Sequence, residues 1–271
     1  MACGLLFQGI TTVEQAMFLL LLLVAVLVGG LIGTVGVGGI LLIPALNVLA
    51  GLSTHTAMGT ALFSFIFTGL LGTWLFWRHG SIDWRITIPV CLGGLLCGYP
   101  GSLANAAAPA RLLDLLLGAV IIFAGVYALF PAKGGRLEYR SMNGGGDLKQ
   151  KLFLLAIGGA VGFGSGLTGV GGPVLSVPLM VIIGFSPLTA IATSQVIQIT
   201  AALSGSAGNL AHGFIDTGTA LWVTVAELVG VTVGARLAHS ISQASLKKVV
   251  SVVCIVVGAF IVLRALQLIP A

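Results

Sequence analysis

Gly33-Thr34-Val35-Gly36-Val37-Gly38-Gly39 and Gly166-Leu167-Thr168-Gly169-Val170-Gly171-Gly172 are two versions of one stretch, and they decide the fold. Each stands between a long apolar run and a short one. Pro173 follows the second directly, and proline is favoured in the first turn of a helix. Glycine lets a chain turn sharply and lets other groups approach its backbone. A Gly-rich joint between apolar segments therefore reads as a broken helix, with a new helix starting at the break. The first N–H groups of a helix lack intrahelical partners and carry partial positive charge, so such a start attracts anions. The other use of glycine in an apolar chain is close helix packing, which accounts for most of the 40 glycines here. Neither joint is a nucleotide-binding loop, because no Lys-Ser or Lys-Thr follows it.

Outward from the joints, a shift of 133 residues aligns 29–130 with 162–263 without a gap, with 28 of 102 positions identical. Thr56-Ala57 meets Thr189-Ala190, Thr60 meets Thr193, Gly72 meets Gly205 and Gly125 meets Gly258. His79-Gly80-x-Ile82-Asp83 meets His212-Gly213-x-Ile215-Asp216. A composition this rich in small and aliphatic residues gives roughly a tenth identity by chance, and it does not pair His and Asp at a common offset. The chain reads as two copies of a five-segment unit.

Composition sets the medium. Of 271 residues only 12 are basic and 7 acidic, 58% are hydrophobic, and mean hydropathy is +1.15. Soluble domains carry about 25% charge. A soluble enzyme, a disordered chain and a nucleic-acid module are all excluded, the last despite a pI near 9.3. The expected fold is an all-α polytopic membrane protein with about ten segments, at roughly 14–34, 39–51, 54–77, 84–103, 111–131, 151–167, 173–184, 187–210, 218–238 and 246–268. Repeat 1 is 14–131, a cytoplasmic linker is 132–150, and repeat 2 is 151–269. A crossing helix needs ~20 residues, so 39–51 and 173–184 read as half-helices or re-entrant segments. Glu14 and the missing basic n-region mark the first run as a retained helix rather than a signal peptide.

Five segments per copy is an odd number, so the copies should have inverted topology. The positive-inside rule gives an independent test. With the linker inside, Lys133, Arg136, Arg140, Lys149, Lys151, Arg78, Arg85, Arg236, Lys247 and Lys248 fall on one side, and only Arg111 and Arg264 on the other. Both termini then lie outside. Inverted repeats with paired broken helices characterise secondary transporters, with the substrate held near the midplane.

The candidate substrate-binding residues are Gly36, Gly38, Gly39, Gly169, Gly171 and Gly172 of the joints, with Thr60, Thr193, Ser194, Gln195 and Gln198 of the third segments. Gln195 and Gln198 are three apart and share a helix face. Buried amides need partners, which either a polar path or a neighbouring helix supplies. Glu227 stands mid-segment with no charge near it in sequence. An intramembrane acid is a functional candidate by default, here for proton coupling; a bond to another helix or to Arg264 is the structural alternative. Its repeat partner is Gly94. His79/Asp83 and His212/Asp216 read as turns and helix caps. Cys3, Cys91, Cys97 and Cys254 have no metal-ligand spacing and read as packing residues. No nucleophile–base set or metal cluster appears, so neither an enzyme nor a cofactor is expected.

At these residues the chain resembles the TauE/SafE family of sulfite exporters and anion permeases. The resemblance covers nearly the whole chain after residue 14. It rests on G-x-x-G-V-G-G before a short helix containing Pro44 or Pro178, on the Thr-Ala stretches and on the His-Gly-x-Ile-Asp turns. Ile40 and Pro173 stand where many members have a third consecutive glycine. The resemblance implies a bacterial-type inner-membrane, multi-pass transporter of sulfite, a sulfonate such as sulfoacetate, or a related small anion. The expected partners are that anion, protons and the bilayer, with room for a homodimer and none for nucleic acid.

Overall fold

The computed structural model describes residues 2–36, 38–129, 148–240 and 243–266. Among them are ten helices and no strand: α1 (Ala2–Val35), α2 (Gly39–Leu49), α3 (Thr54–Arg78), α4 (Trp84–Ala107), α5 (Ala110–Leu129), α6 (Leu148–Thr168), α7 (Gly172–Ile183), α8 (Pro187–Ala211), α9 (Thr217–Ser240) and α10 (Gln243–Ala265). These are the expected segments, with one clear difference. α1 begins at Ala2 rather than near residue 14. No proline lies in 2–13, and Gly4 and Gly9 each weaken a helix by only ~1 kcal/mol. The expected linker lies outside the described residues except for 148–150, which open α6.

Five helices are long and apolar enough to cross a membrane: α1 over Gln15–Thr34, α3, α4, α6, and α9 over Thr217–Ala238. Their outward faces are apolar. On α9 the exposed stripe is Leu221, Trp222, Val225, Val229 and Val233, the reverse of a soluble helix and the pattern of a lipid-facing one. Among the described residues, five such helices with apolar outward faces are the pattern of a multi-pass membrane protein. α2 and α7 are shorter apolar helices. At 1.5 Å per residue, α2 extends about 16 Å, roughly half the hydrocarbon core.

Local chemistry explains where helices start and stop. The Ser53 and Ser186 hydroxyls cap α3 and α8 by accepting from Thr56 N at 3.3 Å and Thr189 N at 3.1 Å. Asp83 and Asp216 cap α4 and α9, accepting from Arg85 N at 3.0 Å and Thr219 N at 2.8 Å. His79 Nδ1 and His212 Nδ1 each lie 2.8 Å from a carbonyl one turn back. The turns close through Gly80 and Gly213, at φ +65° and +70°. The His-Gly-x-Ile-Asp motif is thus a turn and cap, as expected.

Two seams of glycine join the halves. α1 packs on α9, and α4 on α6. A Cβ at Gly33 would meet Val231 O, Ala235 N and Gly234 C; one at Gly166 would meet Gly98 O, Ser102 N and Gly101 C. The second set is the first shifted by 133 residues. Gly29 against the Glu227 backbone likewise matches Gly162 against the Gly94 backbone. Small residues let backbones touch, which is how helices bind where apolar lipid offers no hydrophobic drive.

The same contacts give helix directions. Gly29 and Gly33 pair with residues 227 and 231, so α1 and α9 run parallel, and α4 and α6 do likewise. α3 and α8, which are repeat partners, run antiparallel: Gly59 meets Asn209, and Gly69 meets Gln195 and Ile199. One end of the bundle therefore holds Arg78, Arg85, Lys149, Lys151 and Arg236. The other holds Arg111, whose Nε donates to Ala265 O at 3.1 Å beside Arg264.

Candidate substrate site

The two joints meet in the middle of the bundle. Gly36, at φ +78°, ends α1 by donating its N–H to Leu31 O and Ile32 O at 3.1 and 3.0 Å. Gly169, at φ +69°, ends α6 in the same way on Ser165 O at 2.8 Å. α2 and α7 then start at Gly39 and Gly172, and neither start has a side-chain cap. A Cβ at Gly39 would meet Val170 O of the other joint and the Phe65 ring; one at Gly172 would meet Ile197 and the Gln198 backbone. Each short helix thus begins beside the middle of the third helix of its half. It ends just before that helix starts, so it covers about half of that helix's length.

Between the joints lies a narrow cleft lined by Ile32, Gly36, Gly39, Phe65, Val170, Pro173, Val174 and Gln198. It is nowhere wide enough to admit a water molecule. No Lys or Arg lines it. Its polar character comes from Gln198 and from the starts of α2 and α7, where Leu41 N donates to Gly38 O at 3.1 Å and Pro173 has no N–H, leaving the N–H groups of Gly39, Ile40, Gly172 and Val174 at the helix starts. The Gln198 Nε2 donates to Phe65 O at 3.0 Å and to Thr68 Oγ1 at 2.7 Å, while its buried Oε1 has no partner. Gln195 is built alike: Nε2 donates to Ile32 O at 3.1 Å, and Oε1 is buried and unpartnered. Both amides strap α8 to the other half and keep one oxygen free.

The other expected site residues divide. Ser194 faces the first joint, its Oγ 3.2 Å from where a Gly36 Cβ would stand, and donates to Ile191 O at 2.7 Å. Gly171, at φ +82°, borders the cleft against Phe65. Gly38 packs on α1 at Val28 and Ile32, and Gly169 packs under Met58. Thr60 and Thr193 are not at the cleft. Thr60 Oγ1 accepts from Asp216 N at 3.0 Å, and Thr193 Oγ1 lies 3.1 Å from Thr87 Oγ1. Both tie a third helix to the other half near its end.

Glu227 is fully buried on α9. Ser64 lies beside its carboxyl, but the Ser64 hydroxyl donates to Ala61 O at 2.8 Å, and neither Glu227 oxygen has a hydrogen-bond partner. Among the described residues no ion pair joins Glu227 to Arg264, and the neighbour that another helix brings to its carboxyl is Ser64 of α3. Among the described residues, no three His, Cys, Asp or Glu side chains converge as a metal site would require.

Residues that sequence reasoning passed over are Phe65, Ile32, Val170, Pro173 and Val174. Phe65 carried a signal: it is the repeat partner of Gln198.

Residues 20–261 match the family described as Sulfite exporter TauE/SafE. The chain belongs to the TauE/SafE family. It is 27% identical over 234 residues to the Bacillus subtilis protein named "Probable membrane transporter protein YdhB", covering 86% of this chain and 95% of that one. It is 26% identical over 258 residues to the Escherichia coli K12 protein named "Probable membrane transporter protein YfcA", covering 93% and 92%. A Methanocaldococcus jannaschii protein named "Probable membrane transporter protein MJ0441" is 26% identical over 270 residues, covering 91% and 97%. No solved structure matches the chain. For this TauE/SafE protein the match spans both joints and both halves, so the cleft lies inside the region the family shares.

Proposed function

We propose that the protein is a secondary transporter that exports a small sulfur-containing anion, sulfite or a sulfonate such as sulfoacetate, by alternating access. The observation that carries this reading is the convergence of two helix starts on one buried cleft that holds no cation. Helix N-termini favour negative charge, and irregular backbone at membrane depth is tolerated where it lines a cavity. Without a Lys or Arg, the anion is held by N–H groups and amides alone, which allows release. The cleft is too narrow for water, which favours a carrier over an open pore. The sulfur chemistry and the outward direction come from the family description.

The architecture in this reading is ten membrane segments in two inverted halves, with α2 and α7 re-entrant. The matched glycine contacts and the antiparallel α3 and α8 support it. The basic end faces the cytoplasm, and both termini lie outside. Arg85→Cys and Gly218→Cys occupy equivalent exposed positions. In a cysteine-free background, an impermeant thiol reagent applied to intact cells should label the second and spare the first. Labelling of both, or of the first alone, overturns the topology.

The functional test is uptake of labelled sulfite and sulfoacetate into proteoliposomes. Saturable flux with counterflow is expected for at least one of them. Absence of flux for both defeats the substrate assignment, and linear, non-saturable flux defeats the carrier.

A further inference from the structure

We propose that Glu227 is the proton-binding residue of the transport cycle, so that one proton travels with each anion and export is driven by the anion's own outward gradient. This rests on the transporter reading above and adds its coupling ion.

The carboxyl is enclosed, with one polar side chain, Ser64, beside it. α9 packs on α1 and α3. On the α1 side, Gly29 lies so close that a Cβ there would overlap the Glu227 backbone. On the α3 side stands Ser64, whose hydroxyl is already committed to Ala61 O. No ionisable residue occurs in α1 between Gln15 and Val35, or in α3 between His55 and Arg78. On α9 itself the others are Arg236, which is exposed, and His239. Arg236 is nine residues on, about 13 Å along the helix. Among the described residues no cation compensates a charge on Glu227, and Ser64 is its one polar neighbour. An isolated buried carboxylate is strongly unfavourable. A group kept there must change its protonation when water reaches it.

Glu227 is linked to the site through its neighbours: its carboxyl lies beside Ser64 and its backbone packs on Gly29. Ser64 precedes Phe65, whose ring covers Gly39 and Gly171, and Gly29 lies two turns before Gly36 on α1. An anion entering the cleft and a carboxylate nearby repel each other. Binding of the anion therefore favours the protonated acid, and protonation favours the anion by the same factor. The two enter the enclosed state together. When the halves part and water reaches α9, the acid ionises and the anion is expelled. The position equivalent to Glu227 in the first half is Gly94, packed beside Ile197 and Thr200, so the repeat adds no second carboxyl there. The stoichiometry is one proton per cycle.

The test uses the full chain in proteoliposomes with membrane potential clamped at zero. Sulfoacetate is one probe because its charge is constant near neutral pH; sulfite is the second. In the wild type, a gradient of one pH unit should support about tenfold accumulation at one proton per anion. Glu227→Gln should exchange anion at a rate independent of pH and accumulate none. Glu227→Asp keeps a titratable group and should restore part of the accumulation. Infrared difference spectra of the purified protein should show a protonated-carboxyl band that grows when anion is added and is absent in Glu227→Gln. Gradient-driven accumulation by Glu227→Gln, or a carboxyl band unchanged by that substitution, overturns the proposal while leaving the transporter standing. Loss of exchange in both variants assigns Glu227 a structural role and overturns it as well. A wild type that moves neither anion removes the transporter reading and this proposal together.

Discussion

Phe65 and Gln198 occupy the same place in the two halves and do opposite things. Phe65 lays an apolar ring over Gly39 and Gly171. Gln198 reaches back to the Phe65 carbonyl and the Thr68 hydroxyl and holds one oxygen free. Glu227 and Gly94 repeat the contrast one helix away. The seams around them show no such divergence: Gly33 and Gly166 meet the same three backbone atoms. The framework is symmetric and the side chains facing the centre are not. Packing of backbone on backbone constrains both halves equally. In the transporter reading the centre holds a ligand that lacks two-fold symmetry, and there the copies differ.

The sharpest way to break this comparison is at the joints. Gly171 has φ +82°, and a Cβ there would stand 2.9 Å from the Phe65 ring. Leucine at that position combines backbone strain with overlap at the cleft. We expect Gly171→Leu to lower sulfite flux by about a hundredfold or more, equivalent to roughly 2.7 kcal/mol, while the purified protein still elutes as a single folded species. Wild-type flux in this variant would remove the second joint from the site.

The seams come next. Gly29→Ala forces α1 away from the Glu227 backbone, and Gly162→Ala forces α6 away from the Gly94 backbone. Overpacking of this kind costs about 1–3 kcal/mol. The two variants should lower the thermal unfolding midpoint in detergent by similar amounts, because their contacts are equivalent. A large effect of one and none of the other would show that the seams are matched in geometry but not in energy.

Gln198→Leu makes the centre more symmetric by replacing the amide with an apolar group. If the free Oε1 and the Nε2 straps orient the site, losing them costs about 1–1.5 kcal/mol, near tenfold in the KM for anion. Phe65→Leu keeps the position apolar and should change KM less. Equal effects would reduce Gln198 to a strut between α8 and α3.

The parts of this arrangement that were legible in the sequence are those with local causes. The breaks at Gly36–Gly39 and Gly169–Gly172 depend on glycine conformation and on short segment length. The caps at Asp83 and Asp216 depend on residues within one turn; the equally local caps at Ser53 and Ser186 emerge only from the structure. The duplication is a property of the string itself. The partners of Thr60 and Thr193 were not legible, because both hydroxyls serve the other half, through Asp216 N and Thr87. Polarity alone does not say which neighbour a buried hydroxyl meets. Phe65 was hidden for the converse reason: in a chain that is 58% hydrophobic, one more aromatic reads as core until its neighbours are known. The extension of α1 back to Ala2 had no breaker to mark its absence or a cap to mark its start.

The smallest effect tests the symmetry where it should be most complete. Gly80 and Gly213 close equivalent turns at φ +65° and +70°, and a Cβ at either would have nothing within 4 Å. Substitution there is penalised by backbone conformation alone, with no contribution from packing. An L-residue in the left-handed region costs about 1–2 kcal/mol, and alanine recovers part of this by restricting the unfolded chain. Gly80→Ala and Gly213→Ala should therefore each destabilise by about 1 kcal/mol and leave anion flux unchanged, since both turns lie at the ends of the bundle. Asparagine, which tolerates the left-handed region, should recover most of the loss at both positions. If Gly213→Ala lowered flux while Gly80→Ala did not, the two turns would differ in their motion during transport. The symmetry would then hold for the framework at rest but not for the cycle.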